Sequence, residues 1–232
     1  MRRLAPAAGR RVQFDAEMLK VPRDFFLSKN TAGIAKQLLG KLLVVPTRSG
    51  KRVSGMIVEV EAYFGFADKA AHSYGGRRTN RNDVMYGEGG CVYVFFVYGM
   101  YYQLNFVCGP VGHPHAILIR GIEPVEGVEI MRRRRRPGTK NSQQRSRDAD
   151  DLRYLTSGPG KLSIAFGIDR SYNGEDLQGK RIWVEDHKNF SRREIAAGKR
   201  IGIDYSEEYA EKPWRFWVKE NQFVSKMQKP AR

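Results

Sequence analysis

An uncharged run of eighteen residues, CVYVFFVYGMYYQLNFVC at 91–108, dominates the hydrophobic pattern of the chain. Its length approaches that of a membrane span. Gly99 breaks it, however, and Gln103 and Asn105 stand inside it, so two short apolar strands joined at Tyr98-Gly99-Met100 fit better. The tip of such a hairpin carries large aromatic and thioether side chains. It either packs inside a core or forms a wedge pushed into something outside the protein.

Upstream, residues 30–40 show a short helical pattern. Asn30 or Thr31 is the cap, Ile34, Leu38 and Leu39 are the apolar face, and Gly40 is the terminator. Residues 41–47 and 52–63 read as strands, with a turn at 48–51 making a hairpin. In the second strand Met56, Val58 and Val60 fall on one face, and Ile57, Glu59, Glu61 and Tyr63 on the other. Two glutamates on one face read first as a solvated surface. Residues 64–90 form a long loop with a helical turn at 67–73, and loops of that length are uncommon unless functional. It holds His72 and the run Gly75-Gly76-Arg77-Arg78, with Arg81 beyond. Close backbone approach and cationic donors suit phosphate contacts, or else a solvated surface loop.

Residues 116–122 read as a strand with Leu118 and Arg120 on one face and Ile117 and Ile119 on the other. A cation on an apolar strand needs a partner, and Glu61 is the candidate. That pair is either part of a site or an ion pair that only fixes the fold. A helix is expected over 124–131, running into Arg132 through Arg136 and broken by Pro137-Gly138, with a polar, unstructured segment at 139–153. Ser157-Gly158-Pro159-Gly160-Lys161 opens a further helix, with Ser157 as cap and Lys161 where an anion docks. It lacks the spacing of a P-loop. Strands are expected at 181–185, 199–203 and 214–219. The sum is an α+β fold, a single compact domain around a mainly antiparallel sheet with surrounding helices.

Charge changes the picture. Among 232 residues, 41 Lys and Arg face 25 Asp and Glu, a net charge of +16. Such an excess favours a polyanion, nucleic acid first and an anionic membrane surface second. Residues 1–20 read as a flexible basic arm without the apolar stretch of a secretory signal, and no segment reads as a membrane span, so an intracellular protein is expected. Cys91 and Cys108 lie in strand-like runs and are expected to be reduced. His113-x-His115 is a weak metal signal in a chain of four histidines, and no metal site is expected.

Several polar groups thus sit on apolar strands: Glu61, Gln103, Asn105 and Arg120. With them, IVEVEAY (57–63), AAHSYGGRRTNRN (70–82), YVFFVYGMYYQLN (93–105), LIRGIEPVEG (118–127), TSGPGKL (156–162) and KPWRFWV (212–218) resemble the alkyladenine (3-methyladenine) DNA glycosylase family. The resemblance runs from residue 22 to about 225 in the family's order and spacing. It implies a glycosylase domain at 21–228 with a curved sheet and a protruding hairpin that inserts into DNA; the N-terminal arm and the 132–153 segment, read as an unstructured basic insertion in that domain, fall outside the resemblance. The implied enzyme is a monomer without metal or organic cofactor, found with DNA in a bacterial cytoplasm or a nucleus. Its substrate would be double-stranded DNA containing damaged purines. It would flip the base and hydrolyse its N-glycosidic bond.

By the resemblance Glu61 is the general base for water, and Arg120 and the main-chain carbonyl of Ile201 hold that water. Tyr63, His72 and Phe95 sandwich and bond the base, Asn105 crowds the exocyclic amine of guanine, and Tyr98 is the wedge. Arg77, Met85, Met100 and Lys161 lie along the DNA. The physical demands agree. A base inside a duplex is out of reach of water, and extrusion costs a few kcal/mol that a wedge and stacking faces offset. Positive charge then builds on the sugar, and a carboxylate stabilises it. Two residues depart from the family pattern: Phe95 replaces Tyr, and Gln103 replaces a smaller residue. Both bear on substrate range. Two other readings compete, a noncatalytic nucleic-acid-binding module and a metal-dependent hydrolase using Glu59, Glu61 and His72.

Overall fold

The computed structural model describes residues 20–97, 99–135 and 151–225. Eight strands are found there: β1 (Leu42–Pro46), β2 (Arg52–Tyr63), β3 (Val92–Val97), β4 (Tyr101–Cys108), β5 (His115–Glu126), β6 (Trp183–Glu185), β7 (Ile195–Gly198) and β8 (Arg215–Val218). They form one sheet in the order β3-β4-β5-β2-β1-β6, with β8 also on β2 and β7 on β8. Every pairing is antiparallel. The helices are α1 (Arg23–Leu27), α2 (Thr31–Leu38), α3 (Val128–Arg135), α4 (Leu152–Thr156) and α5 (Pro159–Phe166). The α+β expectation of one domain on a mainly antiparallel sheet therefore holds.

β2 is the central element. β5 runs along one edge of it, while β1 and β8 share the other, β1 against Arg52–Met56 and β8 against Glu59, Val60 and Glu61. With both edges paired and both faces covered, β2 is buried from Val53 to Ala62. The solvated-face reading of Glu59 and Glu61 is thus overturned, since both are 0% exposed. The β2–β5 ladder also slips twice within a few residues. Ile57 pairs with Ile122 and Glu59 with Gly121, leaving Val58 extra; Val60 then pairs with Ile119, leaving Arg120 extra. Such bulges re-aim side chains and recur next to active sites.

α2 follows its sequence signals. The Asn30 side chain accepts from the Gly33 N–H at 2.9 Å, and Ile34, Ala35 and Leu38 are buried. α5 starts with a proline in its first turn and ends at Gly167 in the left-handed region, φ 70°. Both helices pack on the main core, built on Phe26, Leu43, Ile57, Phe106, Ile119 and Phe166.

Three expectations need correction. The helix expected from residue 124 starts at Val128, because β5 continues to Glu126. Pro124 is tolerated there at a ladder slip opposite Gly55, and Gly127 at φ 73° turns the chain. The strand expected at 199–203 lies earlier, at Ile195–Gly198, since Arg200 is drawn into the interior and Gly202 bends the backbone at φ 77°. The 132–153 segment is not uniformly unstructured, because Arg132–Arg135 belong to α3 and Leu152–Thr156 form α4. The basic arm at 1–19, Tyr98, Arg136 and 137–150 lie outside the described residues. The 91–108 hairpin forms as expected, with Val97 opposite Tyr101, and its described tip residue Met100 is 63% exposed rather than packed in a core. Among the described residues no helix is long and apolar enough to cross a membrane.

Candidate active site

Strand alternation places Glu61 and Tyr63 on one side of β2, and Tyr63 Oη donates to Glu61 Oε2 at 2.9 Å. Glu61 Oε1 accepts the Ile201 backbone N–H at 2.8 Å, and Arg120 Nη1 stands 3.3 Å from the same oxygen. The bulge at Arg120 lets one guanidinium serve two carboxylates, because its Nε also donates to Glu59 Oε1 at 3.1 Å. Burial opposes the charge of Arg120, but Glu61 and Glu59 outweigh it and hold the guanidinium above its ordinary pKa. Burial, then Glu61, raise the Tyr63 phenol well above its usual value, which keeps its O–H a donor.

These groups border a cavity of about 260 Å³. Tyr63, His72, Phe95, Asn105, Arg120 and Ile201 all line it. The cavity therefore collects the sequence-predicted pocket residues, with Glu61 held just behind its wall by three of them. Ile201 contributes its N–H to Glu61, a contact the resemblance did not imply. His72 and Phe95 meet edge to face with ring centroids 4.5 Å apart. His72 Nδ1 is 2.8 Å from Tyr93 Oη. Burial, then Arg81 and Arg77, lower the His72 pKa to about 4. The ring is therefore neutral at pH 7. Asn105 donates to the Tyr93 carbonyl at 3.2 Å, which fixes its amide across β3 and β4.

The DNA-contact expectations divide. Arg77 and Met100 are exposed, and Lys161 sits in the first turn of α5 with its ammonium 5.2 Å from the Tyr154 ring. Met85 is 2% exposed, packs with Tyr86 and Tyr93, and lines the cavity, so it faces the pocket and not the outer surface.

Sequence reasoning missed several members. Tyr93 and Tyr205 line the cavity, and Tyr205 is 68% exposed there. Buried Asn82 folds the 72–86 loop, accepting from Thr79 N–H at 2.7 Å and donating to the carbonyls of His72 and Arg77, each at 2.9 Å. Arg200 makes a two-pronged pair with Asp68 at 2.5 and 2.8 Å, donates to the Ala62 carbonyl, and lies 4.6 Å from the Tyr63 ring centroid. The one available signal was an aspartate in a loop next to apolar residues, which does not name its partner 132 positions away. Glu59 accepts from Arg120 and Arg215, and among the described residues no group of three or more His, Cys, Asp or Glu gathers as metal ligands. Glu59, Glu61 and His72 therefore do not form the ligand set that the metal-hydrolase reading needs.

The sequence model of the family described as "Methylpurine-DNA glycosylase (MPG)" matches residues 25–222. A protein of Clostridium acetobutylicum is 47% identical over 211 residues, which cover 91% of this chain and 100% of the relative. One of Desulfitobacterium hafniense is 46% identical over 208 residues, covering 90% and 99%. One of Bacillus cereus is 46% identical over 214 residues, covering 90% and 100%. All three are named, by inference, as 3-methyladenine DNA glycosylases. With a family match that spans the sheet, the loop after β2 and the cavity alike, the chain belongs to the methylpurine-DNA glycosylase family and is a DNA glycosylase, a hydrolase of DNA repair.

Proposed function

We propose that the enzyme turns a damaged purine out of duplex DNA into the 260 Å³ cavity and hydrolyses its N-glycosidic bond with a water activated by Glu61. The observation that carries this reading is the setting of Glu61. A carboxylate offers roughly four acceptor positions. Among the described residues, Ile201 N–H and Arg120 stand at Oε1 and Tyr63 at Oε2, which leaves a position on Oε2 for one more donor. A water there loses its proton to Glu61 as its oxygen bonds to C1′. The C1′–N bond breaks, its electron pair leaves with the base, and an abasic sugar remains. A single carboxylate suffices where alkylation has already made the base a good leaving group. The negative Glu61 also stabilises positive charge as it builds on the sugar.

The cavity walls suit a purine. Tyr63, His72 and Phe95 offer ring surfaces, and stacking contributes about 1–3 kcal/mol per base. Asn105 presents a fixed amide that would crowd the exocyclic amine of guanine. Met100, Arg77 and Lys161 would contact the DNA, and Tyr98, which falls between β3 and β4 in the sequence, would be the wedge. 3-Methyladenine is the lead substrate. Hypoxanthine and ethenoadenine are weaker, since Phe95 lacks a hydroxyl to bond a neutral lesion. The enzyme acts as a monomer without a lyase step.

The test is base excision from a duplex carrying N-methylated or ethenoadenine bases, read as alkali-labile breaks, with Glu61→Gln beside the parent. Breaks from the parent alone, with DNA affinity retained in Glu61→Gln, are expected. Parental excision by Glu61→Gln would overturn the mechanism.

A further inference from the structure

Glu59 has no part in the chemistry above, yet it is as buried as Glu61. Its Oε1 accepts from Arg120 Nε at 3.1 Å, Arg215 Nε at 2.7 Å and Ser225 Oγ at 2.8 Å. Its Oε2 accepts the Ser225 backbone N–H at 2.6 Å. The Ser225 carbonyl in turn accepts from Arg215 Nη2 at 3.2 Å. Ser225 thus commits its N–H, its hydroxyl and its carbonyl to one buried cluster.

The local sequence explains how the chain reaches it. A Cβ at Gly121 would lie 2.8 Å from the Phe223 carbonyl and 3.2 Å from Glu59 Oε2, so the bare glycine lets residues 223–225 cross β5 beside Arg120. Phe223 is buried and anchors the crossing, and Asn221 turns the chain by accepting from Phe223 N–H while donating to Glu123. The cluster of Glu59, Glu61, Arg120 and Arg215 holds two charges of each sign. Its guanidiniums therefore have more than one way to pair, and Arg120 is a bulged residue between two carboxylates. Two donors from Ser225 fill Glu59 from the far side. They fix Glu59 where it takes only the Nε of Arg120, leaving Nη1 for Glu61.

We infer that Ser225 is a positioning residue for excision, acting through Glu59 to hold Arg120 against Glu61. The inference rests on the proposed roles of Glu61 and Arg120. Ser225 lies beyond residues 25–222, so the family match assigns it nothing.

The experiment measures single-turnover excision at saturating enzyme for the full chain, Ser225→Ala, Ser225→Thr, Glu59→Gln and the double variant. Affinity is measured separately on a duplex whose lesion carries an uncleavable 2′-fluoro sugar. Ser225→Ala is expected to cut the excision rate about tenfold, the scale of one hydrogen bond to a charged group, with affinity unchanged. Ser225→Thr, which keeps the hydroxyl, restores the rate. Adding Ser225→Ala to Glu59→Gln slows excision no further, because both act on one path. Parental excision by Ser225→Ala, additive losses in the double variant, or a matching loss of affinity each overturn the inference. If Glu59→Gln does not fold, the Ala and Thr pair decides alone. Glu61→Gln, run alongside, separates the two levels. If it is inactive while Ser225→Ala is parental, only this inference fails; if it is active, the mechanism beneath it fails.

Discussion

Asp68→Asn isolates the support behind the pocket wall. Asp68 and Arg200 have side chains 0% exposed, and the Arg200 guanidinium lies 4.6 Å from the Tyr63 ring centroid and 5.0 Å from that of Trp214. Each Asp68 oxygen accepts one guanidinium N–H and one backbone N–H: Oδ1 from Arg200 Nη2 and Ala70, Oδ2 from Arg200 Nη1 and Phe64. The asparagine amide group, whichever way it turns, sets an NH₂ against two donors. Two hydrogen bonds and the charge of the pair are lost with almost no change of volume. Breaking a buried pair on one side costs about 3–5 kcal/mol. For a domain this size the urea slope is on the order of 2–3 kcal/mol/M, so the midpoint falls by about 1–2.5 M. The same loss lowers the melting temperature by roughly 6–20 °C. Urea unfolding followed by tryptophan fluorescence reads this directly, because Trp214 stacks on Arg200. Excision also slows well below the transition, since Arg200 precedes Ile201, whose N–H holds Glu61. A midpoint drop under about 0.3 M at unchanged slope would show the pair to be neutral and refute the reasoning.

Other outcomes can be checked separately. Unfolding returns His72 from about 4 to its ordinary 6.5, so the unfolded chain binds that proton more tightly; its contribution to stability is complete above pH 6.5 and is lost as pH falls from there towards 4. A histidine NMR titration of the free enzyme should find His72 neutral at pH 5.5, and an ordinary midpoint near 6.5 removes the argument. Phe95→Tyr should raise single-turnover rates on hypoxanthine or ethenoadenine relative to 3-methyladenine, and an unchanged preference separates Phe95 from substrate range. Affinity for duplex DNA should fall with salt as a straight line on logarithmic axes, as phosphate contacts release counterions. Excision should survive a chelator, and a metal-restorable loss would reinstate a metal role.

Local signals carried far in some places. Asn30 capped α2, the 91–108 run folded into a hairpin around Gly99, and Pro159 opened α5, because each feature depends on residues near it in sequence. Tyr63, His72, Phe95, Asn105 and Arg120, named together from the family resemblance, line one cavity. Arg120 was also readable as a cation in need of a partner, and Glu61 as that partner.

What the chain alone determined, then, was its strand and cap chemistry, its basic surface and the identity of its ionisable core residues. Tertiary structure decided which of them meet. Two ladder slips, at Val58 and Arg120, turn Arg120 toward both glutamates at once, and periodicity of two cannot foresee a slip. Burial on both faces made Glu59 and Glu61 interior groups, because β2 gains neighbours on both edges from segments far along the chain. Arg200 meets Asp68, and Ser225 meets Glu59, across 132 and 166 positions. A buried charge states in sequence only that it needs a counter-charge. Which one it receives is fixed by the path of the backbone.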